Sequence, residues 1–152
     1  MPDIVDKQTR SRMMASIQGK NTRPEVMIRH GLHAKGFRYR LHDSRLPGKP
    51  DLVLPKYHVV VFVNGCFWHG HDCHLFKWPS TRPEWWRAKI EKTRQTDAAA
   101  RTTLANNGWR IADVWECALK GRTRRPMEEV LKVLATWIIA EGTSCLTIRG
   151  TE

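Results

Sequence analysis

The sequence predicts a single α/β domain in which helices cover a central sheet. The chain has 152 residues, a length that suits one domain with a substantial core. Amphipathic helical patterns alternate along it with short strand patterns, as in proteins whose helices pack on a sheet. One strand pattern, YHVVVFV (57–63), is apolar at nearly every position, so both of its faces are expected to be covered at the centre of the sheet.

The chain divides by composition into three predicted parts. Residues 1–20 are expected to form a basic arm, because Lys and Arg surround a short apolar group there. Residues 21–142 form the folded domain, and 143–152 a C-terminal tail. The first helix of the domain is expected to begin after Thr22, which suits an N-cap, and to be closed by Gly36.

Hydrophobic periodicity and turn residues predict the remaining elements. Three short strands are expected at FRYRLH (37–42), DLVLP (51–55) and YHVVVFV (57–63). A long helix should run from Pro83 to Leu104, where Asn-Asn-Gly ends it. WRIADVWE (109–116) predicts a further strand, and RPMEEVLKVLATWII (125–139) predicts a last helix with an apolar stripe.

The net charge indicates the kind of partner, and the predicted compartment indicates the chemical state of the cysteines. Lys and Arg number 26 against 15 Asp and Glu, which gives a formal net charge of +11 and favours nucleic acid as the partner. No apolar run has the length of a signal peptide or a membrane span, so the sequence predicts a cytoplasmic protein without a membrane partner. Thiols stay reduced there, so the four cysteines are expected to be metal ligands or free thiols.

The segment VNGCFWHGHDCHLF (63–76) predicts a metal site. Its candidate ligands are spaced as C-x4-H-x-C, and a later cysteine follows the strand 109–116: Cys66, His71, Cys73 and Cys117. Such a set predicts a tetrahedral zinc site without an open coordination position, which would fasten the loop and take no part in chemistry. His69 and His74 remain alternatives to His71, because spacing alone does not choose. Ordinary reduced cysteines beside a surface histidine are the other interpretation.

A carboxylate and a histidine suggest a second, catalytic site. Asp51 follows a proline-rich turn and begins a strand next to the predicted central strand, a place where nucleases hold Mg²⁺ with oxygen ligands. Most Pro-Asp pairs are simply turns, so this signal is weak alone. His69 follows the central strand, and a neutral imidazole near Mg²⁺ suits proton transfer near neutral pH, although a lone histidine is more often a solvated loop residue.

Two further acidic residues are candidates. Asp97 shares the apolar stripe of the long helix with Leu104, so it is expected to be buried and to need a partner. That partner is either His69, which it would orient, or an Arg or Lys. Glu25 stands three residues after Thr22, as in a capping box, and this local role is compatible with a second role in the site.

The aromatic residues near the metal motif are candidate DNA contacts. Phe67 and Trp68 lie between the predicted metal ligands, on a loop too short to bury both rings. Exposed rings beside a basic surface can wedge between base steps, whereas packing against the loop is the alternative for one of the two. Trp86 begins the apolar stripe of the long helix, so core packing is its expected role from pattern alone.

Several segments together resemble the very short patch repair (Vsr) endonuclease family: PGKPDLVLPKYHVVVFVNGCFWHGHDCHLF, DKQTRSRMM, RPEWWRAKI and VWECAL. The resemblance covers roughly residues 5–142. It implies a restriction-endonuclease-like fold, in which helices flank a mixed central sheet and a structural zinc site is present. It also implies an endonuclease that nicks one strand on the 5′ side of the thymine in a T·G mismatch, the product of deaminated 5-methylcytosine.

The resemblance also implies a role for each matching residue. Asp51 matches a magnesium-binding aspartate and His69 a catalytic histidine, with Glu25 and Asp97 as supporting acidic residues. The residues that match structural zinc ligands are Cys66, His71, Cys73 and Cys117. Those that match aromatics wedged into the duplex beside the mismatch are Phe67, Trp68 and Trp86. The implied cofactors are therefore catalytic Mg²⁺ and structural Zn²⁺.

The chain departs from the family pattern beside the predicted magnesium site. A Thr that lends magnesium an oxygen often stands where this chain has Val63, so the main-chain oxygen of Val63 is predicted as a ligand. The next position is often His and is Asn64 here, so a second catalytic histidine is not predicted. The acid-x-Lys motif of most nucleases with this fold is also missing, which leaves more of the proton transfer to His69.

The predicted partner is double-stranded DNA with a T·G mismatch, bound by a monomer in association with the nucleoid. Other mismatch-repair proteins are further candidate partners. Two different functions stay open from the sequence. One is a zinc-stabilised DNA-binding module without catalysis, and the other is a restriction endonuclease of the same fold that cuts paired DNA on both strands.

Overall fold

The computed structural model describes residues 22–140 and 142–151, so the predicted arm at 1–20 lies outside the described residues. The helices are α1 (Arg23–Ala34), α2 (Pro83–Asn106) and α3 (Met127–Ala140). The strands are β1 (Arg40–Leu41), β2 (Leu52–Leu54), β3 (Val59–Asn64), β4 (Arg110–Trp115) and β5 (Cys145–Ile148). None of these helices combines the length and the apolar character that crossing a bilayer requires.

The strands form one mixed sheet in the order β1-β2-β3-β4-β5. β2 pairs antiparallel with β1 and β3, and β4 pairs parallel with β3 and β5, so β3 is the central strand. Its side chains alternate between two cores: Val59 and Val61 pack with residues of α1 and α3, whereas Val60 and Phe62 pack with Leu104 of α2. The predicted α/β class and the buried central strand are confirmed.

The three predicted helices are confirmed, although α2 ends at Asn106 and not at Leu104, and α3 begins at Met127 and not at 125. Thr22 caps α1, because its side-chain oxygen accepts a hydrogen bond from the N–H of Glu25 at 3.4 Å. Gly36 follows the helix with φ +100°, a conformation that glycine adopts without strain. The predicted apolar stripe of α3 is buried along its length: Val130, Leu131, Leu134, Trp137 and Ile138.

Two segments differ from the prediction. The strand expected over 37–42 is only β1, because Phe37 N–H bonds to the Leu32 carbonyl of α1 at 3.0 Å and His42 leaves the strand with φ +47°. Residues 143–152 are not a simple tail, because they contain β5, which continues the sheet beside β4. The CLTI strand was missed because it is four residues long and only Ile148 within it is fully buried.

Candidate active site and metal centre

The topology brings the candidate residues to one edge of the sheet. β1, β3 and β4 run in one direction and end at this edge, whereas β2 is antiparallel and begins there. The edge therefore carries His42 after β1, Asp51 before β2 and the loop 65–76 after β3. The carboxyl ends of strands are the usual place for a binding site in open α/β sheets.

Glu25, His42 and Asp51 form a group that we call the acidic site. One ligand atom from each residue lies within 4.8 Å of the other two. Glu25 is 1% exposed, and its Oε2 lies 2.7 Å from His42 Nε2 and accepts a hydrogen bond from Arg29 Nη1 at 3.0 Å. Asp51 is buried, and its Oδ2 accepts a hydrogen bond from the N–H of Val63 at 2.6 Å. The carboxylate of Glu25, in the first turn of α1, thus belongs to this edge of the sheet.

The electrostatics of the acidic site favour a bound cation. Burial raises the pKa of Asp51 to about 8, and the Glu25 carboxylate adds to the increase, while the hydrogen bond from Val63 N–H opposes it. A cation between these oxygens would replace the lost hydration and stabilise the ionised carboxylates. Because carboxylate oxygens are the preferred ligands of hard divalent cations, the donor set fits such an ion.

His69 and Asp97 form a second pair at this edge. His69 Nδ1 lies 2.5 Å from Asp97 Oδ2, and the two side chains are 25% and 29% exposed. Of the two partners that the sequence left open for Asp97, the structure contains the histidine. Since Nδ1 is engaged, Nε2 is the ring nitrogen that remains for a substrate, and the partial exposure of His69 leaves room for one.

The loop that carries His69 is tied to α2 next to this pair. Arg94 Nη2 donates a short hydrogen bond to the carbonyl of Gly70. Gly70 has φ +61°, and a Cβ at this position would meet the side chains of Arg94 and Ile90. No sequence motif singles out Arg94, although it follows Ile90 by one helical turn on the same helix as Asp97.

The predicted metal ligands form a compact centre. The ligand atoms of all four residues lie within 4.8 Å of one another: Cys66, His71, Cys73 and Cys117. His71 Nδ1 is 3.5 Å from Cys66 Sγ and 3.6 Å from Cys117 Sγ. A tetrahedral ion with Zn–S and Zn–N bond lengths separates its sulfur and nitrogen ligands by about 3.5 Å. The donor set therefore fits a four-coordinate metal ion of the zinc type.

The surroundings of the centre decide which histidine belongs to it. His69 is paired with Asp97, and His74 Nδ1 lies 3.5 Å from Thr123 Oγ1, whereas the ring of His71 faces the thiols. His71 also stacks on Trp115 at 4.0 Å between centroids and 9° between planes, which fixes the ring orientation.

Main-chain N–H groups donate hydrogen bonds to two sulfur atoms of the centre. The N–H of Cys117 donates to Cys66 Sγ, and the N–H of Gly150 donates to Cys117 Sγ, each at 3.3 Å. Burial nevertheless raises the pKa of the Cys66 and Cys117 thiols. A metal ion would favour the thiolate forms, which these main-chain N–H groups then stabilise.

The predicted wedge residues form one aromatic cluster. The ring centroids of Phe67 and Trp68 are 5.3 Å apart, and Trp86 lies 5.2 Å from Phe67 and 5.9 Å from Trp68. Trp68 is 37% exposed, while Phe67 and Trp86 are half-buried. The expectation of core packing for Trp86, which rested on pattern alone, is wrong: the half-buried indole packs on the loop rings and belongs to neither core cluster.

Comparison with known proteins places the chain among its relatives. A family model described as DNA mismatch endonuclease Vsr matches residues 2–75. The DNA mismatch endonuclease Vsr of Escherichia coli (strain K12) is 43% identical over 144 residues, which are 95% of this chain and 92% of that protein. The chain belongs to the Vsr DNA mismatch endonuclease family.

Other relatives of this chain are named as nicking enzymes. The type II nicking enzyme V.XorIIP of Xanthomonas oryzae pv. oryzae is 45% identical over 78% of this chain and 88% of its own length. V.NmeAIP of Neisseria meningitidis is 44% identical over 80% of this chain and 87% of its own length. The family resemblance predicted from the motifs is thus confirmed, and the chain is a homologue of strand-nicking endonucleases.

In this Vsr-family chain, Asn64 belongs to a polar network that the sequence analysis missed. Its Nδ2 donates to Asp113 Oδ1 at 2.8 Å, and Asp113 also forms an ion pair with Arg101. Arg101 Nη1 in turn donates to the main-chain oxygen of Asp97 at 3.3 Å, so the network reaches the helix turn that holds His69. The available signal was the single acid in the otherwise apolar end of β4, ADVW.

The structure therefore sorts the predicted site residues into separate groups. Asp51 lies with Glu25 and the N–H of Val63, whereas His69 lies with Asp97. The metal ligands and the aromatic cluster share the loop between β3 and α2 with His69. His42 in the acidic site was not anticipated.

Proposed function

We propose that this protein is a Mg²⁺-dependent endonuclease, stabilised by zinc, that nicks one DNA strand 5′ to the T of a T·G mismatch and so begins very short patch repair of deaminated 5-methylcytosine. The observation that carries the proposal is the acidic site at the same sheet edge as the His69–Asp97 pair. Membership in the Vsr DNA mismatch endonuclease family supports the same activity.

The proposal includes the architecture of the chain. A mixed sheet with a buried acidic residue before β2, opposite the central strand, supports a restriction-endonuclease-like fold. The division into a basic arm (1–20), an endonuclease domain (21–142) and a short C-terminal segment (143–152) belongs to the same proposal, with β5 as part of the sheet.

The Asp51 carboxylate and the Val63 main-chain oxygen would hold Mg²⁺. The N–H and C=O of one residue in a strand project to the same side, and Val63 N–H bonds to Asp51, so the Val63 oxygen also faces that side. Glu25 supports the ion through its contact with the Asp51 carboxylate. Mg²⁺ supplies Lewis-acid polarisation of the scissile phosphate when it is bound.

His69 is assigned the proton transfer. With Nδ1 held by Asp97 at 2.5 Å, Nε2 can take a proton from the attacking water or give one to the leaving oxygen. Asp97 is a positioning residue, because it fixes the ring and its tautomer without touching the substrate. Arg101 supports Asp97 through the main chain.

The four-ligand centre is assigned to structural zinc. Three ligands come from the loop after β3 and one, Cys117, from the turn after β4, so the ion would join these two segments. A Cys3His set leaves no open position, and the centre would therefore stabilise the loop without chemistry.

DNA opening is assigned to the aromatic cluster. Insertion of Phe67, Trp68 and Trp86 between base steps costs a few kcal/mol of unstacking, and this cost is lowest at a mismatch. We propose that the protein acts as a monomer in the cytoplasm, associated with nucleoid DNA, with other mismatch-repair proteins as further partners.

A nicking assay tests the function. A T·G duplex and the matched T·A duplex, each labelled on either strand, are incubated with Mg²⁺ or with EDTA. We expect one nick, 5′ to the mismatched thymine, only on the T·G duplex and only with Mg²⁺. Binding without cleavage would favour a non-catalytic module, and cleavage of both strands of the matched duplex would favour a restriction enzyme.

A further inference from the structure

Two tryptophans outside the predicted wedge are also exposed. Trp78 is 40% and Trp85 is 47% exposed, more than Trp68 in the wedge. Trp85 contacts Trp86 of the aromatic cluster, with centroids 4.8 Å apart. Trp78 contacts Phe76 at 4.9 Å, and Phe76 in turn lies 5.8 Å from Phe67 of the cluster. Both therefore extend the aromatic cluster outward across the protein surface, one on α2 and one on the segment that leads to it.

An arginine guanidinium lies over each of these two rings. The Arg87 guanidinium lies 4.7 Å from the centroid of Trp78, and that of Arg82 lies 5.4 Å from the centroid of Trp85. Within residues 22–140 and 142–151, neither guanidinium has a carboxylate partner. We call these four residues the outer Trp–Arg surface.

The chemistry of this surface suits a polyanion. A guanidinium stacked on an indole is held in place while its N–H edge stays available, and that edge matches the geometry of a phosphate. Without a competing carboxylate, the positive charge is not neutralised within the described protein. Exposed indole rings beside these charges can pack against deoxyribose or base faces, as in other nucleic-acid-binding surfaces.

We propose that the outer Trp–Arg surface binds the DNA backbone on the flank of the mismatch. Arg82 and Arg87 contact phosphates, and Trp78 and Trp85 hold the guanidinium groups in place and pack on the sugars. The surface adjoins the wedge through Trp86, so one duplex can contact both. The inference rests on the proposed function only in taking duplex DNA as the substrate. Its distinctive consequence is affinity that does not depend on the mismatch.

The test compares three variants with a matched control. Arg87→Ala and Trp78→Ala alter the outer surface, and Trp68→Ala alters the wedge. Lys132→Ala removes the same charge as Arg87→Ala from an exposed position on α3, on the opposite face of the sheet. Fluorescence anisotropy in EDTA gives the Kd for T·G and matched duplexes at several salt concentrations, without cleavage.

We expect Arg87→Ala to weaken binding to both duplexes by the same factor, about fivefold, through the loss of a charge-assisted phosphate contact. The slope of log K against log salt should fall by about 0.9, the value for one phosphate contact. Trp78→Ala should also weaken both duplexes equally, by about fivefold. Trp68→Ala should instead reduce the T·G preference, and Lys132→Ala should change neither quantity.

Two outcomes overturn the inference. Wild-type Kd values for both Arg87→Ala and Trp78→Ala would mean that the surface does not contact DNA. A loss confined to the T·G duplex would assign these residues to mismatch recognition. Failure of the proposed function is distinguishable, since it would appear as no nicking and no T·G preference in the wild type. The comparison of Arg87→Ala with Lys132→Ala on matched DNA would still be interpretable.

Discussion

The acidic site and the Cys-His centre (Cys66, His71, Cys73 and Cys117) each bring candidate cation ligands within 4.8 Å of one another. The two sets of ligand atoms nevertheless suit different kinds of cation. The first offers two carboxylates and an imidazole at the start of β2, where hard cations with exchangeable waters bind. The second offers three sulfurs and an imidazole, which suit a tetrahedral ion without an open coordination position. One sheet edge thus carries a centre suited to reaction and another suited to holding the reactive loop in place.

The difference also appears in how each centre is connected to the chain. Asp51 is held by one N–H from the neighbouring strand and lies beside Glu25 and His42. In the Cys-His centre, the N–H groups of Cys117 and Gly150 donate to sulfur atoms, and the ring of Trp115 stacks on His71. We expect damage to the first to remove activity and damage to the second to remove stability.

The largest expected effect is the loss of catalysis in Asp51→Ala. Removing the carboxylate removes the Mg²⁺ site but little of the DNA contact surface, so the nicking rate should fall by about 1,000-fold or more. The Kd for a T·G duplex should stay within about tenfold of the wild type, because wedge and backbone contacts are intact. Glu128→Ala is the matched control, since Glu128 is 76% exposed in the first turn of α3 and lies outside both centres. Nicking by Asp51→Ala at the rate of this control would remove Asp51 from the mechanism.

Cys117→Ala should show the reverse pattern. We expect it to lose bound zinc and to lower Tm by on the order of 10 °C, because the proposed ion would join the loop after β3 to the turn after β4. Metal analysis and calorimetry measure the two quantities. Cys145→Ala is the control: Cys145 is exposed and outside the centre, and its replacement should leave both unchanged. A zinc-loaded Cys117→Ala with wild-type Tm would contradict the ligand set.

A smaller effect is expected from Asp97→Asn, which keeps the shape of the side chain and removes its charge. His69 would lose the partner that fixes its ring, so the nicking rate should fall by about 10- to 100-fold with T·G binding unchanged. Single-turnover kinetics and the Tm separate this loss from unfolding. Glu91→Gln removes an equivalent charge from an exposed position on the same helix and should have no effect. Equal rates for the two variants would show that Asp97 does not position His69.

The smallest expected effect concerns pH. In the metal-free protein the pKa of Asp51 is raised to about 8 by burial, against an ordinary value of 3.8. Between these values the folded state holds a proton on Asp51 that the unfolded state has lost, so this contribution to stability is present at low pH and is lost as pH rises toward 8. In EDTA, the Tm of the wild type should therefore fall relative to Asp51→Asn from about pH 5 to about pH 8. Parallel curves would contradict this assignment, and added Mg²⁺ should stabilise the wild type most at the high end.

The sequence predicted what depends on local pattern. Thr22 and Gly36 mark the two ends of α1 as expected. The stripe of α2 placed Asp97 beside a partner, although its side chain is 29% exposed and not buried as predicted. Contacts between distant segments were not predictable in this way. His42 joins Glu25 only because β1 ends at the shared edge, and Asn64 meets Asp113 across 49 residues because β3 and β4 are paired in parallel.

Spacing also left the metal histidine undecided, and only the fold separates the candidates. His69 is drawn to Asp97 of α2 and His74 lies by Thr123, which leaves the ring of His71 stacked on Trp115 and facing the thiols. Core packing was expected for Trp86, and this failed for a related reason. Helical periodicity predicts the face on which a residue lies, but not whether the core extends as far as the first turn of the helix.

Mg²⁺ add-back to chelated protein tests the division between the two centres most directly. After brief EDTA treatment, metal analysis should find one zinc per chain, and the protein should not nick the T·G duplex. Adding Mg²⁺ should restore nicking of the T·G duplex in the wild type and not in Asp51→Ala, with the zinc content constant throughout. Nicking that follows the zinc content, or its restoration in Asp51→Ala, would contradict the account.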